Sequence, residues 1–144
     1  MNSVQTNKAL KILIADDDPD DRQLTALAFK EAKLDYTIEF VKNGVELMEL
    51  LQQLAAKGTD QFPELLLLDL NMPKKDGRIA LKEIKSDPKF QKLNIIVFST
   101  SISDEDQKYI SALGVAKCVT KPCGFYELVE LVKNITESLT SETY

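Results

Sequence analysis

Four places in this sequence put side chains with reactive oxygen or nitrogen atoms at the end of a short apolar run. Asp16 and Asp17 follow Lys11-Ile12-Leu13-Ile14-Ala15, and Asp69 follows Leu65-Leu66-Leu67-Leu68. Ser99 and Thr100 close Asn94-Ile95-Ile96-Val97-Phe98, and Lys121 follows Val115 to Thr120. A carboxylate at such a position is expensive to bury without a charged partner. Two carboxylates about 4 Å apart repel by about 4 kcal/mol at an effective dielectric of about 20, so a packed group of them shares protons or holds a cation. With oxygen ligands only and room for water, the cation best suited is Mg²⁺ rather than Ca²⁺. Mg²⁺ beside a carboxylate, a hydroxyl and a Lys is an arrangement for phosphoryl transfer, with Asp69 as the nucleophile and an aspartyl phosphate as the product.

Taken singly, these residues have plainer readings. The acids at 16 to 18 could be no more than a capping turn, Ser99 and Thr100 turn residues, and Lys121 a solvated cation. Asp76 reads as turn chemistry and Lys74-Lys75 as a solvated loop. The weight lies in the coincidence of the groups at strand ends.

That coincidence depends on the elements between them. Runs this short, bounded by Pro and Gly, read as strands buried on both faces of a parallel sheet. Asp18 before Pro19 starts a helix, with Asp18 as N-cap and Leu24, Leu27, Ala28 and Ala32 as its packing stripe. Tyr36 to Val41 has strand character. Asn43 opens a helix carrying Leu47, Met48, Leu51, Leu54 and Ala55, which Gly58 stops; residues 58 to 63 read as a polar loop. Pro73 and Asp76-Gly77 turn the chain sharply after Asp69, and a helix runs from Arg78 to Ser86, before Asp87-Pro88. Ser103 caps an acidic first turn (Asp104, Glu105, Asp106) of a helix packed through Tyr109, Ile110 and Leu113. A last helix carries Phe125, Leu128, Val129, Val132, Ile135 and Leu139. Strands alternating with helices mean an α/β fold, a parallel sheet with helices on both faces. Chemistry in such sheets sits outside the carboxyl ends of the strands, where the four groups fall.

The chain has 144 residues, room for one domain of ordinary size. At 44% hydrophobic and 28% charged residues it is globular, and no apolar run approaches a membrane span. The polar first residues lack the apolar core of a signal peptide, which places the expected location in the cytoplasm. A net charge of -5 argues against nucleic acid as partner. There is no His, which excludes Ser-His-Asp catalysis, His-ligated metals and a role as phosphohistidine donor. Cys118 and Cys123 have no second pair with which to form a zinc site and are expected to be reduced.

An acid pair after the first strand, Asp69 with Pro73 four residues on and Gly77 eight on, a hydroxyl at Ser99, and Lys121-Pro122 occur in the order and spacing that resemble the receiver domain of two-component response regulators. The likeness runs from Lys11 to about Ser138. It implies a flavodoxin-like (CheY-like) doubly wound sheet of five parallel strands in the order 2-1-3-4-5, with the receiver at residues 9–138 between a disordered or polar N-terminal tail at 1–8 and a C-terminal tail at 139–144. It also implies a role for each residue. Asp69 would accept the phosphoryl group from a sensor histidine kinase; Asp17, Asp69 and the backbone carbonyl of Asn71 would bind Mg²⁺ directly and Asp16 through water. Ser99 and Lys121 would contact the phosphoryl oxygens, and the Lys121–Pro122 bond would be cis. The protein would then be a phosphoacceptor that signals by conformational or oligomeric change, not a turnover enzyme. Where the family carries an aromatic residue three before the Lys, Cys118 stands here, which puts an aromatic switch in doubt. The chain ends soon after the last helix, so the expectation is a stand-alone regulator. Asp69 to Arg78 and Lys82 to Pro88 further resemble the small regulators paired with bacterial phytochromes, which implies a phytochrome-type kinase and a homodimer through helix four, strand five and helix five. The rival readings are a Mg²⁺-dependent Asp-nucleophile phosphatase, which would be expected to carry a second acid where Asn71 stands, and a receiver-shaped binding module that is never phosphorylated.

Overall fold

A computed structural model describes residues 10–115 and 117–141. Five strands, β1 (Leu10–Ala15), β2 (Tyr36–Val41), β3 (Leu65–Leu68), β4 (Ile95–Ser99) and β5 (Lys117–Thr120), form one sheet in the order 2-1-3-4-5. Every neighbouring pair is parallel. Five helices alternate with them: α1 (Pro19–Glu31), α2 (Gly44–Lys57), α3 (Gly77–Ser86), α4 (Asp104–Ala112) and α5 (Phe125–Ser141). The expected polar tail at 1–8 lies outside the described residues; α5 runs to Ser141, past the expected boundary at 138.

The side-chain period of a strand divides the sheet between two cores. Leu13, Leu66, Leu68 and Val97 face one, which α2 and α3 complete with Leu47, Leu51, Leu81 and Ile84. Ile12, Leu65, Leu67 and Ile96 face the other, with Ala28 and Phe29 of α1 and Val129, Val132 and Ile135 of α5. All four β3 residues are therefore buried, as the uninterrupted leucine run requires of a central parallel strand.

The helix starts follow their caps. Asp18 accepts from the Asp20 N–H with Pro19 at the first helical position, and Asn43 accepts from the Glu46 N–H. Asp76 accepts from the Arg78 N–H, and Ser103 with Asp106 forms a reciprocal capping box on α4.

Four expectations are corrected. The packing face of α1 is Thr25, Ala28 and Phe29, and Leu24 and Leu27 are each 44% exposed. Thr25 can enter the core because its hydroxyl donates to the Asp21 carbonyl of its own helix, leaving no unpaired polar group. Phe125 is also exposed, so the core stripe of α5 begins at Leu128. The polar loop at 58 to 63 contains a 3₁₀ turn at Thr59–Gln61 and a buried Phe62, whose ring lies 5.7 Å from that of Phe90. Finally, no described peptide bond is cis, so Lys121–Pro122 is trans, the form favoured in X–Pro bonds by about 0.5–1 kcal/mol.

Candidate phosphoryl and metal site

The hydrogen-bond ladder of the sheet runs one residue past its strands and so sets the site. The Asp69 N–H donates to the Ala15 carbonyl at 3.0 Å, which puts Asp69 level with Asp16, the residue after β1. In the same way the Lys121 N–H donates to the Ser99 carbonyl at 2.9 Å. Asp16, Asp69 and Ser99 are buried at this edge, and Asp17 is exposed beside them. The sheet order reverses between β1 and β3, where the acids of the site stand.

Oxygens of Asp16, Asp17 and Asp69 lie within 4.8 Å of one another. The Ser99 hydroxyl donates to Asp69 Oδ1 at 2.7 Å, and the Asn71 N–H reaches the same oxygen at 3.2 Å. Lys121 Nζ donates to Asp16 Oδ2 at 2.5 Å, Asp21 Oδ2 at 3.0 Å and Asp69 Oδ2 at 3.4 Å. Its side chain is only 7% exposed. Asp16 is held further by the Asp18 N–H on Oδ1 and by Arg22 Nη1 on its carbonyl.

Burial alone would discharge Lys121, but the bond to Asp16 and the charges of Asp16 and Asp69, with the bond to Asp21, outweigh it and hold the ammonium above its ordinary range. Burial pushes the Asp16 carboxyl upward, against the pull of Lys121. The two directions compete over one ion pair. Three carboxylates around a single ammonium decide for the charged form, because a neutral amine would leave those acids without a cation.

The site therefore brings together Asp16, Asp17, Asp69, Ser99 and Lys121 as the sequence leads one to expect, with Asn71 on the loop beside them. Thr100 is exposed at the start of the next loop. Two members had no expected role, Asp21 and Arg22. The sequence carried a signal for Asp21 alone, an acidic surplus, since residues 16 to 21 hold more acids than one cap uses. The donor set is all oxygen and already takes up a cationic group at Asp16, so it fits a hard divalent ion.

The glycine of the motif has a steric cause. Gly77 donates its N–H to the Leu70 carbonyl at 2.9 Å, and a Cβ at 77 would stand 2.1 Å from the Asp69 carbonyl oxygen. Only glycine lets α3 start this close to the backbone of Asp69.

The response regulator receiver domain family matches residues 12–133. Response regulator Rcp1 of Synechocystis sp. is 33% identical over 98% of this chain and 95% of its own length. A probable methanogenesis regulatory protein, FilR2 of Methanothrix harundinacea, is 30% identical over 88% of this chain and 81% of its own. Among solved structures, the phosphorylated cyanobacterial phytochrome response regulator RcpA superposes with a TM-score of 0.82 at 36% identity, covering 94% of this chain and 96% of that one. The Mn²⁺-bound form of Rcp1 superposes with a TM-score of 0.76 at 32% identity, covering 88% and 91%. With a family match over residues 12–133 and a relative 33% identical over nearly the whole chain, the chain belongs to the response regulator receiver domain family, the phosphoacceptors of two-component signalling that receive their phosphoryl group from a histidine kinase.

Proposed function

We propose that Asp69 is the phosphoacceptor of this receiver. The observation that carries the reading is the environment of its carboxylate, with Ser99 Oγ on one oxygen and Lys121 Nζ near the other, beside two further acids. An Asp69 oxygen attacks phosphorus, and an O–P bond forms as the P–N bond to the donor histidine breaks and its electron pair returns to the imidazole. Ser99 and Lys121 donate to the phosphoryl oxygens, whose charge they offset. Asp17, Asp69 and the backbone carbonyl of Asn71 would hold Mg²⁺ directly, with Asp16 acting through water, and the ion would supply positive charge beside the phosphoryl group. Asp69 gains and loses one phosphoryl group, and the protein turns over no separate substrate.

Residues 9–138 act as the receiver unit, in the cytoplasm, with neither nucleic acid nor membrane as partner. The kinase is of the phytochrome type, a reading supported by the likeness to Rcp1 and RcpA. Signalling runs through a homodimer over α4, β5 and α5, a face on which Tyr126 is 73% exposed.

The test is transfer of radiolabelled phosphoryl from autophosphorylated histidine kinases. Wild type takes up acid-stable, base-labile label in a Mg²⁺-dependent manner, and Asp69→Asn takes up none. Label on Asp69→Asn equal to wild type would refute the assignment.

A further inference from the structure

Lys121 has three N–H bonds, and three carboxylates share them: Asp16, Asp21 and Asp69, in order of increasing distance. The residue farthest from the ammonium, at 3.4 Å against 3.0 Å for Asp21, is the one whose phosphoryl group Lys121 must meet. We propose that Asp21 is a positioning residue that holds Lys121 back from Asp69 until a phosphoryl group competes for it. The proposal rests on the phosphoacceptor reading of Asp69.

Asp21 is built to hold its place. It stands in the first turn of α1, whose start is fixed by the Asp18 cap and Pro19. Its carbonyl accepts the hydroxyl of the buried Thr25, and its carboxylate is 31% exposed while that of Asp16 is almost fully buried. An acid in a first helical turn is favoured by the helix dipole anyway, and Asp20 satisfies that preference as well as Asp21 does. What Asp20 lacks is contact: among the described residues, the carboxylates that Lys121 reaches are those of Asp16, Asp21 and Asp69. A phosphoryl group on Asp69 carries more negative charge than the carboxylate it replaces, so it draws the ammonium toward itself. Asp21 opposes that movement through a charge-assisted bond. Its removal makes the phosphorylated arrangement easier to reach, and this raises affinity for a phosphoryl mimic and slows loss of the real group.

The experiment uses beryllofluoride with saturating Mg²⁺, read by ¹⁹F NMR, on the full chain and its Asp21→Asn, Asp20→Asn and Asp21→Glu variants. Thermal unfolding confirms that each is folded. Asp21→Asn is expected to bind beryllofluoride about three- to tenfold more tightly, less than a buried charge-assisted bond would give because the Asp21 carboxylate is partly exposed. Asp20→Asn stays within a factor of two of wild type, and Asp21→Glu returns toward wild type because it restores the carboxylate. A merely structural or bulk-charge role moves the two Asn variants alike. Equal changes in both, no change in Asp21→Asn, or weaker binding by Asp21→Asn would each overturn the proposal. Absence of beryllofluoride binding by wild type itself would instead overturn the phosphoacceptor reading, and the role of Asp21 with it.

Discussion

Of the three clustered carboxylates, Asp17 is the exposed one and the one without a bond to Lys121. Its charge is thus the least offset by the protein and the most available to an incoming cation. Asp17→Ala is expected to weaken Mg²⁺ at least tenfold, about 1.4 kcal/mol, in isothermal titration calorimetry. Because the side chain is exposed, the thermal midpoint in the absence of metal should move by no more than a few degrees. Unchanged Mg²⁺ affinity would remove Asp17 from the metal site. The members of this site that the sequence disclosed were those whose spacing along the chain has a local cause. Asp69, Pro73 and Gly77 belong to one turn, in which Gly77 is required by the close approach of the Asp69 carbonyl. Asp21 had no such local mark, since its partner Lys121 is 100 residues away.

At the scale of elements, α3 and α4 are joined by one guanidinium. Arg78 donates to Asp106 from Nε at 2.7 Å and from Nη2 at 2.9 Å, and to Asp76 from Nη1 at 3.1 Å. The Tyr109 hydroxyl donates to the Arg78 carbonyl at 3.2 Å, and Asp106 also closes the capping box of α4. Where the family places an aromatic residue, the partly buried Cys118 packs against the core on the α4 side, and burial pushes its thiol upward. α4 is thus fastened by Arg78 next to the loop that carries Asn71. The bond from Arg78 holds the Asp106 carboxyl well below the usual carboxylate range. A depressed carboxyl contributes stability above its unfolded value of about 3.9 and loses it as pH falls toward the folded value. Asp106→Asn should therefore cost about 1–2 kcal/mol in urea unfolding at pH 7. The gap from wild type should close as the pH is lowered below about 4. A gap that is constant with pH would mean that the charge of Asp106 does not hold α4. The caps were legible because each depends on a few adjacent residues, whereas the strand order came only from the resemblance to receiver domains. The face of α1 was not: stripes through Leu24, Leu27 and Ala28 or through Thr25, Ala28 and Phe29 both have helical spacing, and composition favours the first. The structure takes the second because α1 sets Phe29 against Tyr36, with ring centroids 5.8 Å apart, and the small Ala28 packs in the core shared with α5.

The molecule as a whole is two cores that share a sheet and touch little else in common. Leu51 of α2 is fully buried on one side, and Val132 of α5 is fully buried on the other. Truncating Leu51 to Ala should cost about 2–5 kcal/mol, and Val132→Ala somewhat less because fewer methyl groups are lost. With the sheet backbone between them, neither cavity can be filled by the neighbours of the other. Their costs should therefore add to within about 0.5 kcal/mol in urea unfolding, provided that the double variant still folds. The total approaches the 5–15 kcal/mol that an ordinary domain possesses, so wild type, single and double variants must all be measured under one set of conditions. A double variant markedly more stable than the sum would show that the sheet shifts to relieve both faces at once. In that case Asp16 and Asp69, which continue the ladder at its carboxyl edge, would move with it, and packing on α2 or α5 would be coupled to the geometry of the phosphoryl site.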